Sequence, residues 1–134
     1  MNEATPPDTP YALLGGAGPV RALAERFYAL IDSDPAYAEL RAAHGPDLAP
    51  IAASLAGFLT AWLGGPRDWF AERPGTCIMR MHRALAFPPA LGAQWAAAML
   101  DAIRAEPAFD SDLGRQVGET LSRMALAMVA RPEG

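Results

Sequence analysis

A chain of 134 residues is a single domain by length, and folding buries roughly two-thirds of its unfolded surface, enough for a real core. With 51% apolar and 19% charged residues it reads as soluble and globular, and a net charge of −4 with a pI near 5.0 removes the basic face that nucleic-acid binding needs. All 11 basic residues are arginine, so no phosphate-binding GxxxxGK[ST] loop can exist.

The first ten residues, MNEATPPDTP, combine three prolines and two acids without periodicity. They are expected to form a flexible tail ahead of one domain spanning residues 11–131. No basic start leads into an apolar run, so no secretory signal is expected. Tyr11 to Leu14 is a short apolar turn that Gly15-Gly16 stops. A helix follows with Pro19 in its first turn, where the missing N–H costs nothing. Val20, Leu23, Ala24, Phe27 and Ile31 mark its buried face by the i, i+3, i+4, i+7 rule, with Tyr28 on the edge. Asp34-Pro35 closes this helix and opens another, Asp34 serving as N-cap. That helix runs through Tyr37 and Leu40 to His44, where Gly45-Pro46 ends it.

Asp47 can cap the next helix, whose stripe is Ile51, Leu55, Phe58, Leu59 and Trp62. Residues 48–66 carry no charge, yet Pro50 and Gly64-Gly65-Pro66 leave only about 13 helical residues where a membrane crossing needs about 20. The segment is therefore expected to be a buried helix, with no membrane partner. An irregular stretch holding Trp69 and Phe70 leads to Thr76 as an N-cap, then to Ile78, Met81, His82 and Leu85 at helical spacing, and Pro88-Pro89 ends that helix. The lone Cys77 can close no internal disulfide and four-thiolate metal sites are impossible, which fits a reducing cytosol. It reads as a small buried hydrophobe rather than a redox group. Leu91, Trp95, Met99, Ala102 and Ile103 define the next stripe, and Leu113, Val117, Leu121, Met124 and Met128 the last. Nothing alternates with period two and nothing repeats, so the fold is expected to be all-α with six or seven helices.

His82 is one of only two histidines and lies on the apolar face of a short helix. Neutral imidazole is an iron ligand, and one histidine often holds haem iron from its proximal side. A histidine satisfied within a core fits the same pattern. Tyr28 and Trp95 offer an O–H and an N–H donor from core-facing positions on different helices, which would suit a pocket that retains oxygen; ordinary core aromatics fit equally. His44 stands at a helix end, as a pocket residue or as a solvated loop histidine. Ile51, Leu55, Phe58, Ile78, Met81 and Leu85 would make apolar walls, as in any helical core. No HExxH or ExxH metal pair and no GxSxG elbow occurs.

Several pieces then fall into one order. Phe27-Tyr28 is followed by GGPRDW after a long helix, then by Arg80-Met81-His82 with Phe87 five residues on, and Trp95 stands 13 residues past His82. This order, with the two glycine pairs Gly15-Gly16 and Gly64-Gly65, resembles the second group of truncated haemoglobins over about residues 11–130. The resemblance implies a two-over-two helical sandwich around one haem b. It makes His82 the proximal ligand and sole metal-binding residue, Tyr28 and Trp95 the distal donors, and His44 the residue at the corner before the long helix. Ile51 and Leu55 would line the distal side, and Phe58, Ile78, Met81 and Phe87 the remaining walls. Arg80, with Arg83, would reach the propionates, although the family usually places arginine directly before the histidine and Met81 stands there. The implied function is binding of oxygen and other diatomic ligands by a bacterial, cytoplasmic oxygen-transport globin, monomeric or homodimeric, with slow release because up to three donors reach the ligand. A second possibility is a redox enzyme that detoxifies nitric oxide or reduces peroxide; lacking a flavin domain, it would need a separate reductase. A third is a haem-free helical interaction module.

Overall fold

In the computed structural model, which describes residues 8–129, helix α1 (Pro10–Leu13) is a single turn capped by Thr9, whose hydroxyl accepts from the Ala12 N–H at 3.1 Å. Residues 1–7 of the expected tail, and residues 130 and 131 of the expected domain, lie outside the described residues. The Tyr11 N–H donates to the Leu63 carbonyl at 2.9 Å, seating α1 on the turn that follows α4 (Ala49–Trp62). Gly64 has φ +101°, a conformation side chains rarely adopt, and a Cβ on Gly65 would lie 2.8 Å from the Tyr11 ring and 2.9 Å from the Thr60 carbonyl. The second glycine pair is thus the floor on which the first helix rests.

Helix α2 (Ala17–Ser33) buries the expected face, and Tyr28 with it. Asp34 then caps a tight 3₁₀ turn over Pro35–Tyr37 rather than an α-helix, accepting from the Ala36 N–H at 2.9 Å; α3 (Ala38–Ala42) continues it. Two bonds fix this short segment to α7 (Pro89–Ala105): Tyr37 donates its hydroxyl proton to Asp101 at 2.7 Å, and Gln94 accepts from the Leu40 N–H at 3.0 Å. Asp47 caps the start of α4 through the Ala49 N–H at 3.1 Å.

Where an irregular stretch is expected, residues Asp68–Ala71 form one turn, α5. Trp69 anchors it: the ring is buried under the Arg73 guanidinium, and its N–H donates to the Ser54 hydroxyl at 3.0 Å. The residue ahead of α6 (Ile78–Ala84) is Cys77, not Thr76. Cys77 is also exposed, against the expectation of a buried hydrophobe, and backbone N–H bonding, first from Arg80, lowers its thiol pKa. Helix α6 stops at Ala84, before Pro88-Pro89, and Pro89 opens α7 instead. Helix α8 (Asp112–Met128) starts from Ser111, whose hydroxyl accepts from the Gly114 N–H at 3.0 Å.

The layers follow from these faces. Helix α2 packs on α4, α7 packs on α8, and α2 rests on α7, making two helix pairs one over the other. Phe27, Leu23, Ile31, Leu59, Met99 and Phe109 fill the centre, each fully buried and contributing about 1.5–3 kcal/mol by removal from water. Arg26 and the mostly buried Glu106 pair at 3.3 Å and tie α2 to the end of α7. Helix α6 has no fully buried residue; it leans on α8, where the Arg83 Nε–H donates to the Ala127 carbonyl at 3.1 Å. Among the described residues there is no strand, and no helix is long and apolar enough to cross a membrane.

Candidate functional site

Helices α2, α4, α6, α7 and α8, with the end of α3, enclose a mostly apolar cavity of about 390 Å³. Tyr28, His44, Ile51, Leu55, Phe58, Ile78, Met81, His82, Phe87 and Trp95 all line it. Arg80 does not: it is exposed, two residues before His82 and so on the far side of the helix. Arg83 is exposed too and engaged with Ala127, so no guanidinium lines the cavity.

The His82 ring is fixed by its own helix. Its Nδ1 lies 2.8 Å from the Ile78 carbonyl oxygen, and since a carbonyl can only accept, Nδ1 carries the proton. The neutral ring therefore keeps its free lone pair on Nε2, the tautomer of a metal-ligating histidine. Among the described residues no three His, Cys, Asp or Glu side chains gather to hold a metal ion. The walls around His82 are apolar, formed by Ile51, Leu55, Phe58, Ile78 and Met81.

The remaining polar groups gather around Phe27. Its ring meets Tyr28 edge-on at 4.8 Å and Trp95 at 5.1 Å, and Tyr28 meets His44 edge-on at 5.5 Å. Burial pushes the Tyr28 pKa up to about 12, so its hydroxyl remains a donor throughout the physiological range. The Trp95 indole can only donate. His44 differs from the expectation: its Nδ1 lies 2.8 Å from the Leu40 carbonyl, so the neutral ring donates there and leaves Nε2 an acceptor. Of the three expected donors, Tyr28 and Trp95 keep theirs for the cavity in this arrangement, and the neutral His44 ring gives its N–H to Leu40.

The Tyr28 shift has a measurable sign. Unfolded, the phenol ionises near pH 10, and folded near 12, so the unfolded state releases its proton first and stability falls as pH rises between those values. Urea midpoints should drop from pH 9 to pH 11, with about 1 kcal/mol of the loss assigned to this side chain. Tyr28→Phe should flatten the decline by that amount; an identical decline in both proteins would refute the assignment.

Sequence patterning did not single out the cavity wall formed by Leu121, Met124 and Met128 of α8, or Ser54 and Trp69. The α8 stripe carries the right spacing but serves the core and the cavity at once. Trp69 lacked any periodic neighbour to reveal it.

With this geometry in view, the chain matches the family of bacterial-like globins over residues 9–130. It is similar to a cold-adapted truncated haemoglobin from Pseudoalteromonas haloplanktis, with 27% identity and a TM-score of 0.86 over 93% of this chain and 100% of that one. It is similar also to a group II 2-on-2 haemoglobin from Agrobacterium tumefaciens, with 29% identity and a TM-score of 0.84 over 98% and 100%. A thermostable haemoglobin from Thermobifida fusca gives 31% identity and a TM-score of 0.77 over 93% and 99%. No curated protein matches the chain.

Proposed function

We propose, given that the chain belongs to the bacterial-like globin family and within it to the group II truncated haemoglobins, that it carries haem b on His82 and retains oxygen or another diatomic ligand there with slow release. Globins bind haem, which removes the haem-free helical module from consideration. The observation that carries the reading is the His82 tautomer: its Nδ1–H is held by the Ile78 carbonyl, and the ring lines a cavity shared with the Tyr28 and Trp95 donors and apolar walls.

When bound, haem b supplies a ferrous iron that takes up oxygen reversibly. The chain does the rest. The Ile78 carbonyl orients the His82 ring and raises the basicity of Nε2. Ile51, Leu55 and Phe58 exclude water, which strengthens any hydrogen bond made inside. Tyr28 and Trp95 would offer an O–H and an N–H donor to a ligand retained in the cavity, and Phe27 holds both rings in place. No arginine is among the lining residues, so the cavity would offer haem propionates no cation.

The test is the visible spectrum of the purified protein with haem in ferric, ferrous and oxygenated forms. A sharp Soret band and an oxygenated form that outlasts rapid mixing are expected. Absence of a specific band at stoichiometric haem would overturn the reading.

A further inference from the structure

His44 lines two cavities. Besides the one shared with His82 it borders a second, more open cavity of about 350 Å³ between the end of α2, α3 and the loop after it, and no other residue lines both. The frame around the ring is braced. The Arg41 guanidinium donates to Asp32 at 2.7 Å and to the Gly45 carbonyl at 3.1 Å, joining the two rims of the outer cavity, and the His44 N–H donates to the Arg41 carbonyl at 3.1 Å. The ring itself is held by less: one hydrogen bond, Nδ1–H to the Leu40 carbonyl, and an edge contact with Tyr28. A turn of the side chain breaks that single bond, and the outer cavity supplies the space to receive the ring.

We propose that His44 is a door and the outer cavity an antechamber, so that diatomic ligands reach the haem cavity from between α2 and α3 when the imidazole swings outward. This rests on the haem-globin reading above. Side-chain rotations of this kind are fast, while the backbone on either side stays fixed. Passage is therefore limited by how often the ring leaves its Leu40 bond.

Flash photolysis of the carbon monoxide complex of the haem-loaded protein tests this, since carbon monoxide is a weak hydrogen-bond acceptor and reports access rather than polarity. His44→Ala, which removes the door, should speed bimolecular rebinding by about tenfold. Ala42→Trp places a bulky ring on the exposed wall of the outer cavity, away from the inner one. It should slow rebinding by roughly threefold or more and raise the fraction that rebinds before escape. Unchanged rebinding in Ala42→Trp overturns the door, whatever His44→Ala does, because His44→Ala alone could act inside the cavity. Absence of a carbon monoxide spectrum in the unsubstituted protein would instead overturn the haem reading itself.

Discussion

His82→Gly is expected to lose haem, and imidazole added to the solution is expected to restore it. Among the described residues no three His, Cys, Asp or Glu side chains gather to take over, and the other histidine of the cavity, His44, is turned to the Leu40 carbonyl and the Tyr28 ring. Losing an outer hydrogen-bond partner of a metal ligand costs about 10- to 100-fold in affinity, so losing the ligand should exceed about 100-fold. The glycine leaves a hole the size of the deleted ring in a half-buried position, where free imidazole can insert its own nitrogen. The measurement is the rate of haem transfer to a scavenging apoglobin, followed by the Soret band with and without imidazole. A variant that keeps haem as tightly as the parent would mean that another group holds the iron. Full loss without imidazole rescue, accompanied by loss of helical circular dichroism, would point to a folding defect instead.

The second large effect concerns release. Tyr28→Phe and Trp95→Phe each remove one donor while keeping a ring against Phe27, so packing at 4.8 and 5.1 Å is largely kept. A hydrogen bond to a charge-bearing acceptor is worth about 1.5–3 kcal/mol, and each 1.4 kcal/mol is tenfold in rate. Each single variant should accelerate oxygen dissociation by roughly tenfold or more, and the double variant by roughly 100-fold. Because both rings lean on Phe27, the effects should not add perfectly, and a double-mutant cycle measures the coupling. Dissociation followed by stopped flow with a carbon monoxide chase decides it. Unchanged release in both single variants would remove this account of ligand retention.

Much of this was legible in the sequence, and for physical reasons. Helical spacing put Val20, Leu23, Phe27 and Ile31 on one face, and the structure buries all four. The same spacing carried His82 to the cavity beside Ile78 and Met81. It also contained the correction for Arg80, since residues two apart on a helix do not share a face. Other features depended on tertiary contact. The start of α6 moved past Thr76 because the Thr76 N–H closes a turn onto Arg73, leaving extended backbone at Cys77. Four residues cannot display a period, so α5 is recognisable only by the Trp69 bond to Ser54. The tautomers of His44 and His82 were hidden for a common reason: each is set by the carbonyl four residues earlier, which faces the ring only once the turn is formed.

Helix α6 carries a consequence for the abundance of this protein in the cell. It has no fully buried residue; Met81 and Leu85 are 47% and 60% exposed, and both line the cavity with Ile78, which alone of the three also packs against the core. Stability is not uniform along a chain, and a helix so placed belongs to the part that opens first. A ligand bound only by the folded chain adds RT ln(1 + [L]/Kd), about 4 kcal/mol at a thousandfold excess over Kd. Proteases that sample locally opened chains would accordingly clear copies lacking haem faster than loaded ones.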